Sequence, residues 1–140
     1  MEEGRRPVNG RAMLVAMKTA LTAAWLLLAL VHLPPALVAF RPVLTERFYG
    51  VPSNGTISLL LTHRGALFLV VAWLASFAAF VPDARRVASV GVAISVLSFL
   101  VLYARAGMPT GPLRNIAAAD AVALVPLCLV IYAAWRPPIA

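Results

Sequence analysis

Residues 59–74 read LLLTHRGALFLVVAWL, and this run decides the fold class. It is apolar around most of the helical wheel, with His63 and Arg64 its only ionisable residues. A helix that is apolar all round is either deeply buried or set in lipid. Ionisable residues inside a membrane span are costly and usually face the protein interior. The run therefore predicts a membrane helix whose two polar residues are answered by other helices.

Composition points to the same solvent. Of 140 residues, 62% are hydrophobic and 12% charged. Soluble domains carry about 45–50% apolar and about 25% charged residues, and a small soluble fold has too little interior to hide this excess. The net charge is +7, spread between apolar runs. That spread suits topology signals and anionic headgroups, and it speaks against nucleic acid, which needs a continuous basic face. The single cysteine, Cys128, allows neither an internal disulfide nor a CxxC redox pair.

A span takes about 20 apolar residues. Four are predicted, over 19–40, 58–81, 87–104 and 116–135. The intervening RPVLTERFYGVPSNGT, PDARR and ARAGMPTGPLRN and the terminal RPPIA have loop composition. The expected fold is all-α: an integral membrane four-helix bundle forming a single domain over 1–140. Arg5, Arg6, Arg11, Lys18, Arg85, Arg86 and Arg136 fall on one side. Arg41, Arg47, Arg105 and Arg114 fall on the other. The excess places both termini in the cytoplasm.

Pro34 and Pro35 remove backbone donors from the first span. Either that helix kinks there, or it ends near Leu33 and starts near Ala12. A cleavable signal ending around ALVAF is a third reading. Small residues form a stripe on span two (Gly65, Ala72, Ser76, Ala79) and another on span three (Ala88, Gly91, Ser95, Ser98). They predict close packing of these two antiparallel neighbours. Trp25 and Trp135 are expected at the interface as aromatic anchors.

Depth counting draws the polar residues together. His63 lies about 7 Å below the start of span two. Asp120 lies about one turn into span four, and His32 about two turns from the end of span one. His32, His63, Arg64, Tyr103, Arg105, Arg114, Asn115 and Asp120 all fall toward the outer leaflet. Asp120 is the only acid within a span and should be paired, with Arg64 as its best partner. Several roles suit such a cluster: a structural clamp, a pocket for a quinone or lipid headgroup, a proton relay, or bis-histidine haem b between His32 and His63. The proline pair beside His32 disturbs the haem geometry. Metal ligands are scarce. GxSxG, P-loop and HExxH motifs are absent from the sequence. The NGT at Asn54 is a sequon of a kind common by chance. The first span also lacks the acidic residue that small multidrug exporters need.

LTHRGALFL, SVLSFLVL and GPLRNIAAADAVAL resemble segments of small four-span bacterial membrane proteins akin to the DoxX-like families. The resemblance covers most of the chain after Thr45. It implies that the recurring polar positions are His63, Arg64, Arg114, Asn115 and Asp120. It also implies a place in the bacterial inner membrane. DoxX itself is associated with thiosulfate-linked quinone reduction, and no redox motif of such an enzyme is clearly matched here. The expected role is an accessory or scaffold subunit of a membrane complex, packing on partner subunits or on itself, with a lipid or quinone at the cluster. The alternative is a quinone-linked or haem-binding redox subunit.

Overall fold

The computed structural model describes residues 8–136. Arg5 and Arg6, which entered the topology count, lie outside the described residues. Four long helices are joined by short connections, and no strand occurs among the described residues. They are α1 (Val8–Leu37), α3 (Thr56–Phe80), α4 (Arg85–Arg105) and α5 (Pro112–Trp135). A short helix, α2 (Leu44–Tyr49), lies between α1 and α3. All four long helices are long and apolar enough to cross a membrane. The protein is thus an all-α, multi-pass membrane bundle.

Packing runs α1–α3–α4–α5 and back to α1, with the α1–α3 interface the most extensive. Consecutive long helices are antiparallel, so α1 faces α4 across the diagonal. The core joins Trp25 and Leu28 of α1, Ala75 and Ala78 of α3, Val92 and Val96 of α4, and Leu127 and Val130 of α5. Trp25 is fully buried, which corrects its expected place at the interface. A helix apolar on every side gives no sign of which residue faces its neighbours. Trp135 is more than half exposed and does sit at a helix end.

The first helix neither starts at residue 19 nor stops at the prolines. It begins by Val8 and continues helically through Pro34 and Pro35 to Leu37. Prolines are tolerated in membrane helices where neighbours support the backbone. Support comes from α3. A Cβ on Gly65 would stand 2.7 Å from the Ala39 backbone nitrogen and 3.1 Å from the Pro35 carbonyl oxygen. Gly65 therefore serves the contact with the end of α1, not the expected contact with α4. Gly91 of the other stripe does face α3, through Leu74.

The loop ends are tied by specific bonds. Gly50 closes α2 in the left-handed conformation, φ 68°, and its N–H reaches the Glu46 carbonyl at 3.0 Å. A 3₁₀ turn, Pro82–Ala84, separates α3 from α4. Arg85 then donates from Nε to the Ala78 carbonyl at 3.1 Å and from Nη2 to the Ala79 carbonyl at 3.4 Å. Arg86 donates from Nε to the Ala134 carbonyl at 3.1 Å. Two neighbouring arginines thus cap the C-termini of two helices, α3 and α5, where cations are favoured by the helix dipole. From the sequence they counted only as topology charges.

Candidate functional site

A cavity of about 200 Å³ opens in the half of the bundle where α1 and α4 end and α3 and α5 begin. Each long helix contributes to its wall. The proline-bearing end of α1 supplies Val31, His32, Pro34 and Pro35, while Phe68 comes from α3 and Phe99 from α4. The first turns of α5 supply Asn115, Ile116, Ala119 and Asp120. Asn115 and Ala119 are exposed and mark the mouth.

His32 is buried, and both of its ring nitrogens are engaged. Nδ1 lies 2.7 Å from the Leu28 carbonyl oxygen, and Nε2 lies 3.1 Å from Ser95 Oγ. A carbonyl can only accept, so Nδ1 carries the hydrogen. In the neutral ring Nε2 then accepts from the Ser95 hydroxyl. This bond crosses the bundle diagonal from α1 to α4. It gives Ser95 a role beyond the small-residue packing that the stripe predicted.

Asp120 differs. It is nine-tenths buried, with 9% of its surface exposed, yet it has no hydrogen-bond partner among the described residues. Among the described residues, no fully enclosed side-chain polar atom lacks a partner. The carboxylate oxygens therefore keep some open surface, and Asp120 is one of the residues that line the cavity.

Arg64 does not pair with Asp120. Its guanidinium carbon sits 5.1 Å from the Phe68 ring centroid and 5.6 Å from that of Phe99. Cation–π attraction at these distances holds the charge against the two rings that wall the cavity. Phe68 also lies 5.9 Å from the His32 ring, and Phe99 lies 6.2 Å from Tyr103. The polar residues are thus knitted by aromatic contacts, which a search for opposite charges misses. The expected Arg64–Asp120 ion pair is replaced by this arrangement.

His63, one residue before Arg64, is exposed. Adjacent residues on a helix point about 100° apart, at 3.6 residues per turn. The bundle takes Arg64 inward and leaves His63 outside, so His32 and His63 do not face each other for a bis-histidine haem. Arg114 and Arg105 are likewise exposed. The Tyr103 hydroxyl donates to the Pro109 carbonyl at 3.0 Å and pins the α4–α5 loop. Among the described residues, no three His, Cys, Asp or Glu side chains gather as a metal set.

One further residue reaches the site. Tyr49 lies at the end of α2. Burial pushes its phenol above the ordinary range. The Arg64 charge lowers it and the Asp120 charge raises it further. Tyr49 therefore senses both charges, and α2 packs on α5 and α3. On the same helix, Glu46 accepts from Ser53 N–H at 3.0 Å and from Ser53 Oγ at 2.8 Å, which holds its carboxyl below the usual range.

With the geometry established, comparison with protein-family models, curated proteins and solved structures finds no match to this chain.

Proposed function

We propose that this chain is a non-catalytic module of the bacterial inner membrane, with both termini cytoplasmic, that holds the polar head of an amphipathic molecule at Asp120. It would serve a larger membrane complex as an accessory or scaffold subunit. The observation that carries the reading is the buried Asp120 carboxylate, open to a cavity and without a protein donor. Buried polar groups are ordinarily satisfied, so such an acceptor calls for a donor from outside the chain.

The ligand class follows from the walls. Ligand pockets for whole drug-sized molecules run about 300–1,000 Å³. A cavity of about 200 Å³ holds a head and leaves the tail in lipid. The head must donate to Asp120, and Phe68 and Phe99 offer apolar faces beside it. A hydroxyl or ammonium head meets this requirement. Among quinones that selects the reduced quinol, because the oxidised form has no donor. His32 has both nitrogens occupied, so no histidine on the wall is free to exchange a proton with Asp120. That favours binding over acid–base chemistry. The DoxX-like resemblance belongs to this proposal at the level of architecture and polar positions.

The test is a thermal shift of the purified protein with decylubiquinol, decylubiquinone and phosphatidylethanolamine as probes, against phosphatidylcholine. A bound donor at about 100 times its Kd stabilises by about 2.7 kcal/mol. Decylubiquinol or phosphatidylethanolamine should raise the wild-type Tm by several degrees, and Asp120→Leu should abolish the rise. Which of the two acts separates a quinol from a lipid head. Equal shifts in wild type and Asp120→Leu, or none with either probe, would overturn the reading.

A further inference from the structure

A second concavity, of about 430 Å³, lies at the opposite end of the bundle between α4 and α5. We infer that it seats one acyl chain of an anionic phospholipid whose phosphate is held by Arg86. Val90, Ala93, Ile94 and Leu97 of α4 form one side and Ile131 of α5 the other, with Trp135 at the end. Ala93 is the smallest of the apolar side chains that line the groove. From Ser89 to Ser98 it runs about 14 Å, at about 1.5 Å per residue. That is close to half of the ~30 Å hydrocarbon core, the depth of one leaflet.

The groove offers nothing to a polar partner. Ser89 Oγ donates to the Arg86 carbonyl at 2.8 Å and accepts from Trp135 Nε1 at 3.1 Å. Ser98 Oγ donates to the Ser95 carbonyl at 3.3 Å. Both hydroxyl hydrogens in the lining are thus donated within the protein.

Its end, by contrast, is cationic. The Arg86 guanidinium lies 5.6 Å from the Trp135 ring centroid. Its Nε is anchored on the Ala134 carbonyl, which fixes the fork while its two terminal nitrogens make no hydrogen bond among the described residues. Arg136 follows at the next position, 5.8 Å from the Tyr132 ring. Arg85 is committed to the end of α3. Asp83 is the one acidic residue on this side among the described residues. An apolar trough ending in a preset arginine fork complements a lipid tail joined to a phosphate. A second copy fits poorly. With the same topology it would bring its own Arg86 and Arg136 to the same level, and like charges would meet.

Native mass spectrometry of the whole protein released from vesicles tests this. The vesicles contain equal parts dioleoyl phosphatidylglycerol and dioleoyl phosphatidylcholine. One retained phosphatidylglycerol is expected, favoured about fivefold over phosphatidylcholine, the size of one cation–headgroup contact. Arg86→Gln keeps a donor for the Ala134 carbonyl and should bring the ratio near one. Ala93→Phe fills the trough and should remove retention of both lipids. Arg114→Gln, at the other end, should change neither. Unchanged retention and ratio in Arg86→Gln and Ala93→Phe would overturn the assignment. So would a dimer that replaces the lipid and is lost on filling the trough. If Arg86→Gln fails to fold, Ala93→Phe alone decides, because retention that survives a filled trough sinks the proposal.

Discussion

The two halves of the bundle are built on opposite rules. Around Trp25, Leu28, Val92 and Leu127 the side chains are fully buried and apolar, and alanines on α3 let the backbones close in. Around His32 and Asp120 buried polar side chains enter, prolines interrupt the α1 ladder, and a cavity remains beside the close Gly65 contact. In lipid, where the hydrophobic effect does little between helices, tight packing is the main source of association. The closed half therefore carries the stability, and the open half is free to hold polar groups in unusual settings.

The largest effect expected from this division is at Trp25. Trp25→Ala should cost about 3 kcal/mol or more through the void it leaves, read from unfolding in mixed detergent and sodium dodecyl sulfate. A loss under about 1 kcal/mol would mean that stability is not concentrated there.

In the open half, His32→Phe should cost about 1 kcal/mol in the same titration, since two hydrogen bonds within a membrane are lost. Asp120→Leu, without ligand, should cost nothing. The contrast sharpens the division within the site itself, one polar residue satisfied and the other waiting. An Asp120→Leu variant as damaged as His32→Phe would mean that Asp120 has a partner within the chain.

The smallest effect is a titration. Tyr49 ionises above the ordinary tyrosine range because it is buried. On raising the pH the unfolded chain loses its phenol proton first. The stability owed to this group is therefore full below about pH 10 and declines as pH climbs toward the folded value. Ultraviolet difference absorbance should show the Tyr49 midpoint rising in Arg64→Gln, which removes a cation, and falling in Asp120→Asn, which removes an anion. Shifts in the same direction, or none, would separate Tyr49 from the site.

The architecture was legible in the sequence because composition and run length alone demand lipid and four crossings. The polar residues at the ends of the spans were legible too, since charges stand out in apolar runs. Orientation around each helix axis was not. Trp25 and Trp135 look alike in the sequence, yet one is core and the other is rim. His63 and Arg64 are neighbours, yet only Arg64 meets the rings of the cavity wall. The stripe on α3 gave Gly65 as a packing position but not its partner, because which neighbour a face meets depends on how all four helices close. Arg64 was matched to the only acid in a span by charge, whereas two phenylalanines, which carry no charge, received it.

The pair Arg85 and Arg86 also sets an order of events. Arg85 finds its acceptors six and seven residues back, as soon as the α3–α4 hairpin forms. The acceptor for Arg86 lies 48 residues ahead, at the end of α5. The first arginine needs only residues already made before it, whereas the second needs a residue made after it. A chain halted before α5 would leave that guanidinium without its carbonyl, so one turn records whether the ring of helices has been completed.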